Sequence, residues 1–385
     1  MPSQPPDYDL IIIGAGIHGA AVARAAACDG YKVCLLEQYS EAGLATSSSS
    51  SKLIHGGLRY LESFQFGLVK ECLKERRILL RTAPSLVRLV PFYIPVYQNN
   101  KRPVWLIHLG LLLYRLLGGG QFRKLKQSEW PTLDGLSLQK LTAVFEYGDG
   151  LTNDKQLTQA VLQQAVNNSA VFLPQTTLKA IEIKDNMVKA STDKQTTITG
   201  RMIINASGPW VNEVLSKVSP AVSRLPIDLI QGSHIVIPRC LDKGIYYVEA
   251  ADKRVVFAIP WQQHCLIGTT ESQFNGPPEQ CRPLAEEVDY LLATWNRYFT
   301  DDLKHGDVLQ QFAGLRVLPA SDKKAFKRRR DTLLHTDNTL SPRIISIYGG
   351  KLTAHRSTAA AVMAIVHRQL PGYRRTDTSE LSLPA

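Results

Sequence analysis

Three glycines near the start of the chain have the spacing that binds the phosphates of a dinucleotide. Gly14, Gly16 and Gly19 form a G-x-G-x-x-G sequence directly after the apolar run 9–13. A second apolar run, 33–36, ends in Glu37. Such glycines let a pyrophosphate approach the backbone at a helix N-terminus, and the acid accepts hydrogen bonds from ribose hydroxyls. The segment therefore predicts a dinucleotide site, and the acid argues against a 2′-phosphate.

A serine-rich loop and the residues after it combine hydroxyl, imidazole and guanidinium groups, as binding sites do. Serines occupy positions 47–51, a run that also fits a flexible linker. The loop leads into Lys52-Leu53-Ile54-His55-Gly56-Gly57-Leu58-Arg59-Tyr60. An imidazole relays protons near neutral pH, and an arginine binds two phosphate oxygens at once. His55 and Arg59 are therefore candidate site residues.

Composition and charge predict a soluble, basic protein of a reducing compartment. Hydrophobic residues make up 44% of the 385 residues, and this length suggests two domains. The six cysteines include no C-x-x-C pair, so we expect neither a disulfide framework nor a metal site. The net charge of +11 implies an anionic partner. Because no signal peptide is recognised, we expect a cytoplasmic protein or one at the cytoplasmic face of a membrane.

Periodicity and chain breakers predict the elements that position these residues. Helices are expected at 20–28, 66–82, from Asp154 as the capping residue, at 286–298, and through Arg356 to His367. Strands are expected at 9–13, 33–36, 180–184, 187–191, 197–204, 234–238, 245–248, 255–261, 265–270 and 343–348. The later strands alternate with proline and glycine turns, which favours an antiparallel sheet.

Apolar strands that run into glycine turns near 203–208 and 343–350 predict that the first unit is completed by distant segments. We expect an α/β fold with a discontinuous, Rossmann-like cofactor domain and an inserted α+β substrate or cap domain. The cofactor domain takes residues 8–85, 150–225 and 305–370. The substrate domain takes residues 86–149 and 226–304, and residues 371–385 form a polar tail.

Two segments have more than one interpretation. The apolar stretch 104–117 is too short to span a bilayer, and is either a buried helix or a helix at a membrane interface. The basic run 323–330 fits a solvated loop, a surface for anionic lipid or a nucleic-acid-binding segment. No nucleic-acid-binding motif accompanies it, so we expect no nucleic-acid partner.

Four segments resemble FAD-dependent, quinone-reducing glycerol-3-phosphate dehydrogenases, and the resemblance runs from about residue 8 to about residue 365. These segments are 46–62 (TSSSSSKLIHGGLRYLE), 231–238 (QGSHIVIP), 267–270 (IGTT) and 348–353 (YGGKLT). The glycine turn alone fits any flavoprotein of the wider D-amino-acid-oxidase-like class, whereas residues 52–62 are specific. The resemblance implies that class of fold, with a doubly wound FAD domain and a substrate domain built on an antiparallel sheet.

The resemblance also implies an activity and partners. It implies oxidation of sn-glycerol 3-phosphate to dihydroxyacetone phosphate, with a hydride passing to the flavin N5 and electrons passing to ubiquinone or menaquinone. Non-covalently bound FAD, a peripheral position at the anionic inner face of the cytoplasmic membrane and a possible homodimer belong to the same expectation.

Residue roles carried over from the family are as follows. His55 and His234 are candidate proton acceptors, with His55 favoured over a purely structural role, and Arg316 completes the catalytic set. Expected substrate contacts are Arg59, Tyr60, Thr270, Arg330 and Lys351. Expected cofactor contacts are Gly14, Gly16, Gly19, Glu37, Thr46, Ser47, Ser51, Leu53, Ser207, Gly208, Gly349, Gly350 and Lys351. No metal site is expected.

The chain departs from the family pattern at several positions. The family has a threonine-tyrosine pair where this chain has Ala354-His355, and arginine-proline where it has Arg316-Val317. The family also continues into a helical C-terminal domain, and here only the polar tail is expected. Two alternatives therefore stay open: a related FAD oxidase that uses oxygen or acts on another hydroxy or amino acid, and a non-catalytic flavoprotein subunit.

Overall fold

A computed structural model describes residues 5–184, 186–321 and 332–384. The α-helices of this part of the chain are α1 Ile17–Asp29, α2 Phe66–Thr82, α3 Val104–Tyr114, α4 Asp154–Asn167, α5 Val211–Ser216, α6 Ala285–Tyr298 and α7 His355–Gln369. The strands are β1 Tyr8–Ile13, β2 Val33–Leu36, β3 Leu53–Ile54, β4 Val87–Tyr97, β5 Phe122–Lys124, β6 Leu141–Thr152, β7 Val171–Leu173, β8 Leu178–Lys184, β9 Met187–Thr192, β10 Thr197–Asn205, β11 Val218–Ser219, β12 Ile227–Ile237, β13 Ile245–Glu249, β14 Val255–Trp261, β15 His264–Gly268, β16 Ser272–Phe274, β17 Gln310–Pro319, β18 Leu333–Thr336 and β19 Ile344–Tyr348.

The first sheet is built around parallel strands from three distant parts of the chain. β1 lies between β2 and β10, and β10 pairs in parallel with β19. The core strands are almost entirely apolar because both of their faces are covered. α1 packs against α4 and α7 over one face, where their buried residues form one cluster with β1 and β10. The carboxyl ends of β1, β10 and β19 therefore meet at one edge, where ligands of such sheets bind.

The second sheet is mainly antiparallel and carries the other wall of the molecule's large cavity. Its path is β16-β12-β15-β14-β13-β4-β6-β3, with β17 beside β12 and β5 beside β6. α6 covers one face with its buried aromatic and aliphatic side chains. α3 contributes to the apolar cluster on the opposite face. The mixed parallel and antiparallel sheets confirm the expected α/β fold class with an antiparallel-sheet partner.

Several predicted elements are confirmed, and two details differ. α2 and β14 have the predicted bounds. The helix expected to be capped by Asp154 is capped by Asn153, whose side chain accepts a hydrogen bond from Gln156 N. Asp154 is instead fully buried and pairs with Lys52. β4 and β6 were not predicted as strands.

The sheets also place two segments differently from the predicted domain division. β17 was assigned to the cofactor domain, but it pairs with β12 in the second sheet. β3 likewise pairs with β6 in that sheet. Both strands contribute residues to the cavity between the two sheets. The division into domains otherwise stays a prediction.

The segment expected to be a polar tail is docked on the first sheet's helices. Tyr373 stacks on Tyr31 with ring centroids 3.8 Å apart. The Arg24 guanidinium donates to the carbonyl oxygens of Thr378 and Leu381, and Leu383 is buried. The described part of the tail therefore contributes to the core around α1.

Candidate active site

A cavity of about 390 Å³ runs between the two sheets and contains most of the predicted site residues. At one end it is lined by Glu37 after β2, and it passes the N-terminus of α1. At the other end it reaches His55, Arg316 and Lys351. Among the described residues, no group of three or more His, Cys, Asp or Glu side chains is arranged to hold a metal ion.

The glycine turn leaves the N-terminus of α1 open to the cavity. Gly14 has φ of +97°, and a side chain there would bring its Cβ within 2.8 Å of the Ala206 carbonyl oxygen. Only glycine fits this close crossing of β1 and β10. The Ser47 hydroxyl accepts a hydrogen bond from Ile17 N at 3.0 Å, which joins the serine loop to the first turn of α1. The helix end is therefore a positive site for phosphate oxygens.

Glu37 fixes the same turn from the end of β2. Its Oε2 accepts a hydrogen bond from Ala15 N at 2.7 Å, and its Oε1 accepts one from Tyr39 N at 3.0 Å. Burial raises the pKa of this carboxyl, and the backbone donors oppose that rise. A carboxylate with two oxygens has further acceptor capacity. Glu37 therefore retains the ability to bind ribose hydroxyls at this end.

A buried ion pair holds the serine loop in place. Asp154 Oδ2 accepts hydrogen bonds from both the backbone nitrogen and the hydroxyl of Ser50. Asp154 Oδ1 lies 2.7 Å from Lys52 Nζ, and burial lowers the pKa of this lysine. The Thr46 hydroxyl donates to the Leu315 carbonyl at 3.0 Å, which ties the loop to the second sheet. The serine run is thus a structured wall of the cavity and not a linker.

Two arginines converge at the far end of the cavity around one carboxylate. Glu271 Oε1 lies 3.4 Å from Arg316 Nη1 and 3.7 Å from Arg59 Nη2. Arg316 Nη2 also donates to the Thr269 hydroxyl at 3.2 Å. Burial and the neighbouring Arg59 charge lower the pKa of Arg316 to about 10, so this guanidinium remains charged at neutral pH. The pair forms a compact cationic site, as phosphate groups require.

The two candidate histidines lie in different surroundings. His55 lines the cavity, and its backbone exchanges hydrogen bonds with the Thr353 hydroxyl. His234 is 1% exposed, its Nε2 is 2.9 Å from the Ser51 hydroxyl, and its ring stacks on Phe312. Burial, with Arg316 and Lys52 nearby, lowers the pKa of His234 well below its ordinary value. His234 is therefore neutral and positions Ser51.

Lys351 approaches the cavity from the turn after β19. Its Nζ lies 4.0 Å from the centre of the Tyr60 ring, at cation–π distance. This ammonium group is shielded from solvent and has no hydrogen-bond partner among the described residues.

Most of the predicted site residues do line this cavity. They are Gly14, Gly16, Glu37, Thr46, Ser47, Ser51, Leu53, His55, Arg59, Tyr60, Ser207, Gly208, His234, Arg316, Gly349, Gly350 and Lys351. Gly19 is buried against the Gly14 backbone instead. The Thr270 hydroxyl donates to Glu287 at 2.7 Å, and the neighbouring Thr269 lines the cavity. Arg330 lies outside the described residues.

Sequence reasoning missed two acids that organise the site. Glu271, which joins the two arginines, directly follows the 267–270 segment, so the next residue of that motif was the available signal. Glu287 accepts hydrogen bonds from five groups: Gln231 Nε2, Ser233 Oγ, Thr270 Oγ1, Ser272 Oγ and Leu284 N. It lies on α6, so no local pattern connects it to the site.

The residues present fit an FAD molecule. The glycine-lined helix end accommodates a pyrophosphate, and Glu37 lies where an adenosine ribose is expected in this kind of fold. The same cavity is also lined by Gly349 and Lys351, and the Lys351 ammonium group has no hydrogen-bond partner among the described residues. Helix terminus, acid and ammonium group together match the chemistry of a flavin dinucleotide.

Comparison with known proteins agrees with this fit. A family model described as FAD dependent oxidoreductase matches residues 9–356. The aerobic glycerol-3-phosphate dehydrogenase of Escherichia coli is 36% identical over 393 residues, which cover 98% of this chain and 76% of that protein. The D-erythritol 1-phosphate dehydrogenase of Brucella abortus is 35% identical, with 99% of this chain and 78% of that protein covered.

Solved structures give the same fold. The glycerol-3-phosphate dehydrogenase of Bacillus halodurans, complexed with FAD, superimposes with a TM-score of 0.77 at 26% identity, covering 98% of this chain and 67% of that one. Glycine oxidase from Geobacillus kaustophilus, at 18% identity, has a TM-score of 0.74 with 99% of each chain covered, and shares the fold. The D-amino-acid-oxidase-like fold is thereby confirmed. The chain is an FAD-dependent oxidoreductase that belongs to the glycerol-3-phosphate dehydrogenase family.

Proposed function

We propose that this enzyme oxidises sn-glycerol 3-phosphate to dihydroxyacetone phosphate. The observation that carries the proposal is the convergence of Arg59 and Arg316 on Glu271 at the end of the cavity where His55 and Lys351 lie. A phosphate dianion needs such a pair of guanidinium groups, and a secondary alcohol needs a proton acceptor nearby. Relatives named for two polyol phosphates support the same substrate class.

The chain's own residues divide the work as follows. Arg59 and Arg316 bind the phosphate and hold the substrate carbon in register. Such positioning supplies much of the lowering of the activation barrier in these reactions. His55 takes the hydroxyl proton. Bound FAD would supply the acceptor for the hydride of the same carbon. Lys351 provides a positive charge that would stabilise the negative charge gained by the cofactor on reduction. His234 is a poor proton acceptor because of its low pKa, so it serves by fixing Ser51.

We assign non-covalent FAD contacts to three groups of residues. The glycine turn and Ser47 face the pyrophosphate, and Glu37 faces the ribose. The serine loop and the β10 and β19 turns enclose the rest of the cofactor. The residues of this third group are Thr46, Ser51, Leu53, Ser207, Gly208, Gly349 and Gly350.

D-Erythritol 1-phosphate is the second candidate substrate. The Brucella relative named for it is as similar to this chain as the glycerol-3-phosphate dehydrogenases are. The two substrates share the phosphate and the secondary alcohol and differ by one hydroxymethylene unit. The same arginines therefore serve both, and the remaining cavity wall decides between them.

Anaerobic reduction of the bound flavin tests the proposal. Purified protein loaded with FAD should lose its visible absorbance on addition of sn-glycerol 3-phosphate, with a lower kcat/KM for D-erythritol 1-phosphate. Arg316→Ala should lower kcat/KM by about 100-fold, because it removes a buried charged contact to the substrate. Arg123→Ala changes an exposed arginine outside the cavity and should leave kcat/KM unchanged. Retained FAD that neither substrate reduces would overturn the substrate assignment.

We further propose that electrons pass to a membrane quinone and that the protein docks on the anionic inner face of the cytoplasmic membrane. No helix among the described residues has the length and apolar character needed to cross a bilayer. α3 instead presents an exposed apolar stripe: Trp105 is 66% exposed, and Leu116, just beyond the helix, is 74% exposed. Leu109 and Leu112 lie between them at helical spacing and are also exposed.

Charge around the stripe favours an anionic lipid surface. Arg77 packs beside Gly118 at the end of α3, and Arg115 within the stripe is exposed. Apolar side chains beside basic ones are the composition that binds an anionic membrane interface. An interfacial position would also bring the enzyme to its quinone.

A further inference from the structure

The cations that line the cavity differ in how their charges are balanced. Arg59 and Arg316 share Glu271, while Arg254 pairs with Asp252 and Lys217 with Glu213. Each of these four therefore has a carboxylate within reach. Lys351 has none among the described residues, although its Nζ is removed from solvent. A buried ammonium group without a hydrogen-bond partner is costly, so another group must stabilise it.

The face of the Tyr60 ring is the group that contacts this ammonium. Lys351 Nζ lies 4.0 Å from the ring centre. The quadrupole of an aromatic ring attracts a cation over its face without cancelling the positive charge, whereas a carboxylate would cancel it. The charge of Lys351 thus stays available to a ligand of the cavity.

The chain fixes the ring in this orientation. Tyr60 lies in the short 3-10 helix Leu58–Ser63, which begins after Gly57. Gly57 has φ of +75°, and any side chain at this position would collide with the Tyr60 ring. The ring is therefore held between the Gly57 backbone and the Lys351 ammonium.

We propose that Tyr60 is a positioning residue that acts through its ring, and not through its hydroxyl, to fix the Lys351 ammonium group at the cavity wall beside the cofactor. A positive charge close to a flavin raises the electron affinity of the flavin. Because the Tyr60 ring positions the Lys351 ammonium group, it sets the reactivity of the bound flavin indirectly. The proposal rests on FAD binding and does not depend on which polyol phosphate is the substrate.

Sulfite titration of the FAD-loaded protein tests this proposal without turnover. Sulfite adds to oxidised flavin, and a nearby positive charge stabilises the resulting anion. Lys351→Met should raise the sulfite Kd by at least about tenfold. Tyr60→Leu should raise it by about tenfold, the loss of one desolvated cation–π contact. Tyr60→Phe keeps the ring and should stay within about twofold of the unmodified protein.

Controls separate positioning from general damage. FAD content and thermal unfolding identify variants that fail to fold, and Phe257→Leu removes another aromatic side chain of the cavity wall without touching the proposed contact. In the double variant Tyr60→Leu/Lys351→Met, the Kd should equal that of Lys351→Met alone, since the ring acts only through the lysine.

Several results would overturn the proposal. These are a Tyr60→Phe variant as impaired as Tyr60→Leu, a Tyr60→Leu variant with normal sulfite affinity, or additive effects in the double variant. If sn-glycerol 3-phosphate fails to reduce the flavin while the sulfite series behaves as expected, the substrate assignment fails and the role of Tyr60 stands.

Discussion

At the scale of single residues, the site depends on acids placed between cations. Glu271 joins the two arginines of the substrate end, and Asp154 joins Lys52 to the serine loop. Glu271 reduces the repulsion between the two arginines, and Asp154 fixes the positions of Lys52 and Ser50. Lys351 contacts the Tyr60 ring and not a carboxylate, so its positive charge remains available to a ligand of the cavity. Two guanidinium groups share the single carboxylate of Glu271, so this end of the cavity keeps a net positive charge for a phosphate, and the Lys351 ammonium keeps its own charge because a ring contacts it.

The Lys52–Asp154 pair gives a direct test of this arrangement. Asp154→Asn leaves a lysine that is 5% exposed without its counter-charge, so we expect the free energy of unfolding to fall by about 3–5 kcal/mol. The freed serine loop should also weaken FAD binding. Urea denaturation and FAD titration measure the two effects.

A surface pair provides the matched control. Arg81 and Glu380 are both more than half exposed, so Glu380→Gln should change the unfolding free energy by no more than about 0.5 kcal/mol. Equal effects of the two substitutions would contradict the role given to Asp154. Combining Lys52→Met with Asp154→Asn should recover part of the loss, because it removes the stranded charge.

At the scale of elements, local pattern decided what the sequence revealed. α2 was predicted with its observed bounds because its apolar spacing is regular and Pro84 follows it closely. β4 was missed because Pro91 and Pro95 interrupt it, and only its pairing with β6 makes it a strand. β17 was not predicted as a strand, and its segment was grouped with the cofactor domain, because its partner β12 lies about 80 residues earlier. Pairing across such distances leaves no trace in local periodicity.

The site followed the same division. The glycine turn, the serine loop and the 348–353 turn are local motifs, so the sequence alone selected residues that the structure brings to one cavity. Glu271 and Glu287 act through contacts between distant segments. The sequence predicted Thr270 as a site residue, whereas Thr269 lines the cavity, because only the fold decides which of two adjacent hydroxyl groups faces it. A contiguous motif therefore indicates which segment contributes to a site, while the structure is needed to show which residues of that segment face the cavity.

The exposed stripe beginning in α3 carries the prediction at this scale. Replacing both Trp105 and Leu116 by glutamate should lower binding to vesicles containing anionic phospholipid by at least about tenfold, because two apolar contacts are lost and two repulsive charges gained. Reduction of the flavin by substrate should be unaffected, since neither residue lines the cavity. Co-sedimentation measures the binding.

A distant apolar residue provides a control for the general effect of introducing glutamate at an exposed apolar position. Leu340 is 87% exposed and lies outside α3, so Leu340→Glu should leave vesicle binding unchanged. Vesicles of zwitterionic lipid should bind the unmodified protein less than anionic ones, and added salt should reduce that difference. Equal loss from Leu340→Glu, or binding indifferent to lipid charge, would refute the docking surface.

At the scale of the whole molecule, buried neutral histidines link stability to pH. His355 is 1% exposed, its Nδ1 lies 2.7 Å from the Leu352 carbonyl oxygen, and burial lowers its pKa to about 3. Arg24, Arg356 and His18 nearby act in the same direction. The unfolded chain takes up this proton below the ordinary histidine pKa of 6.5, whereas the folded chain does not. The contribution of His355 to the free energy of unfolding is therefore complete above about pH 6.5 and is lost as the pH falls.

Substituting His355 should flatten this dependence. One proton of difference corresponds to about 1.4 kcal/mol per pH unit. His355→Gln should therefore reduce the fall of the unfolding free energy between about pH 6 and pH 4 by close to that slope, in urea denaturation of the FAD-loaded protein. His108 is exposed, and His108→Gln should leave the slope unchanged. An unchanged slope in His355→Gln would mean that the folded protein protonates this imidazole, and that α7 tolerates a charge where it packs beside the N-terminus of α1.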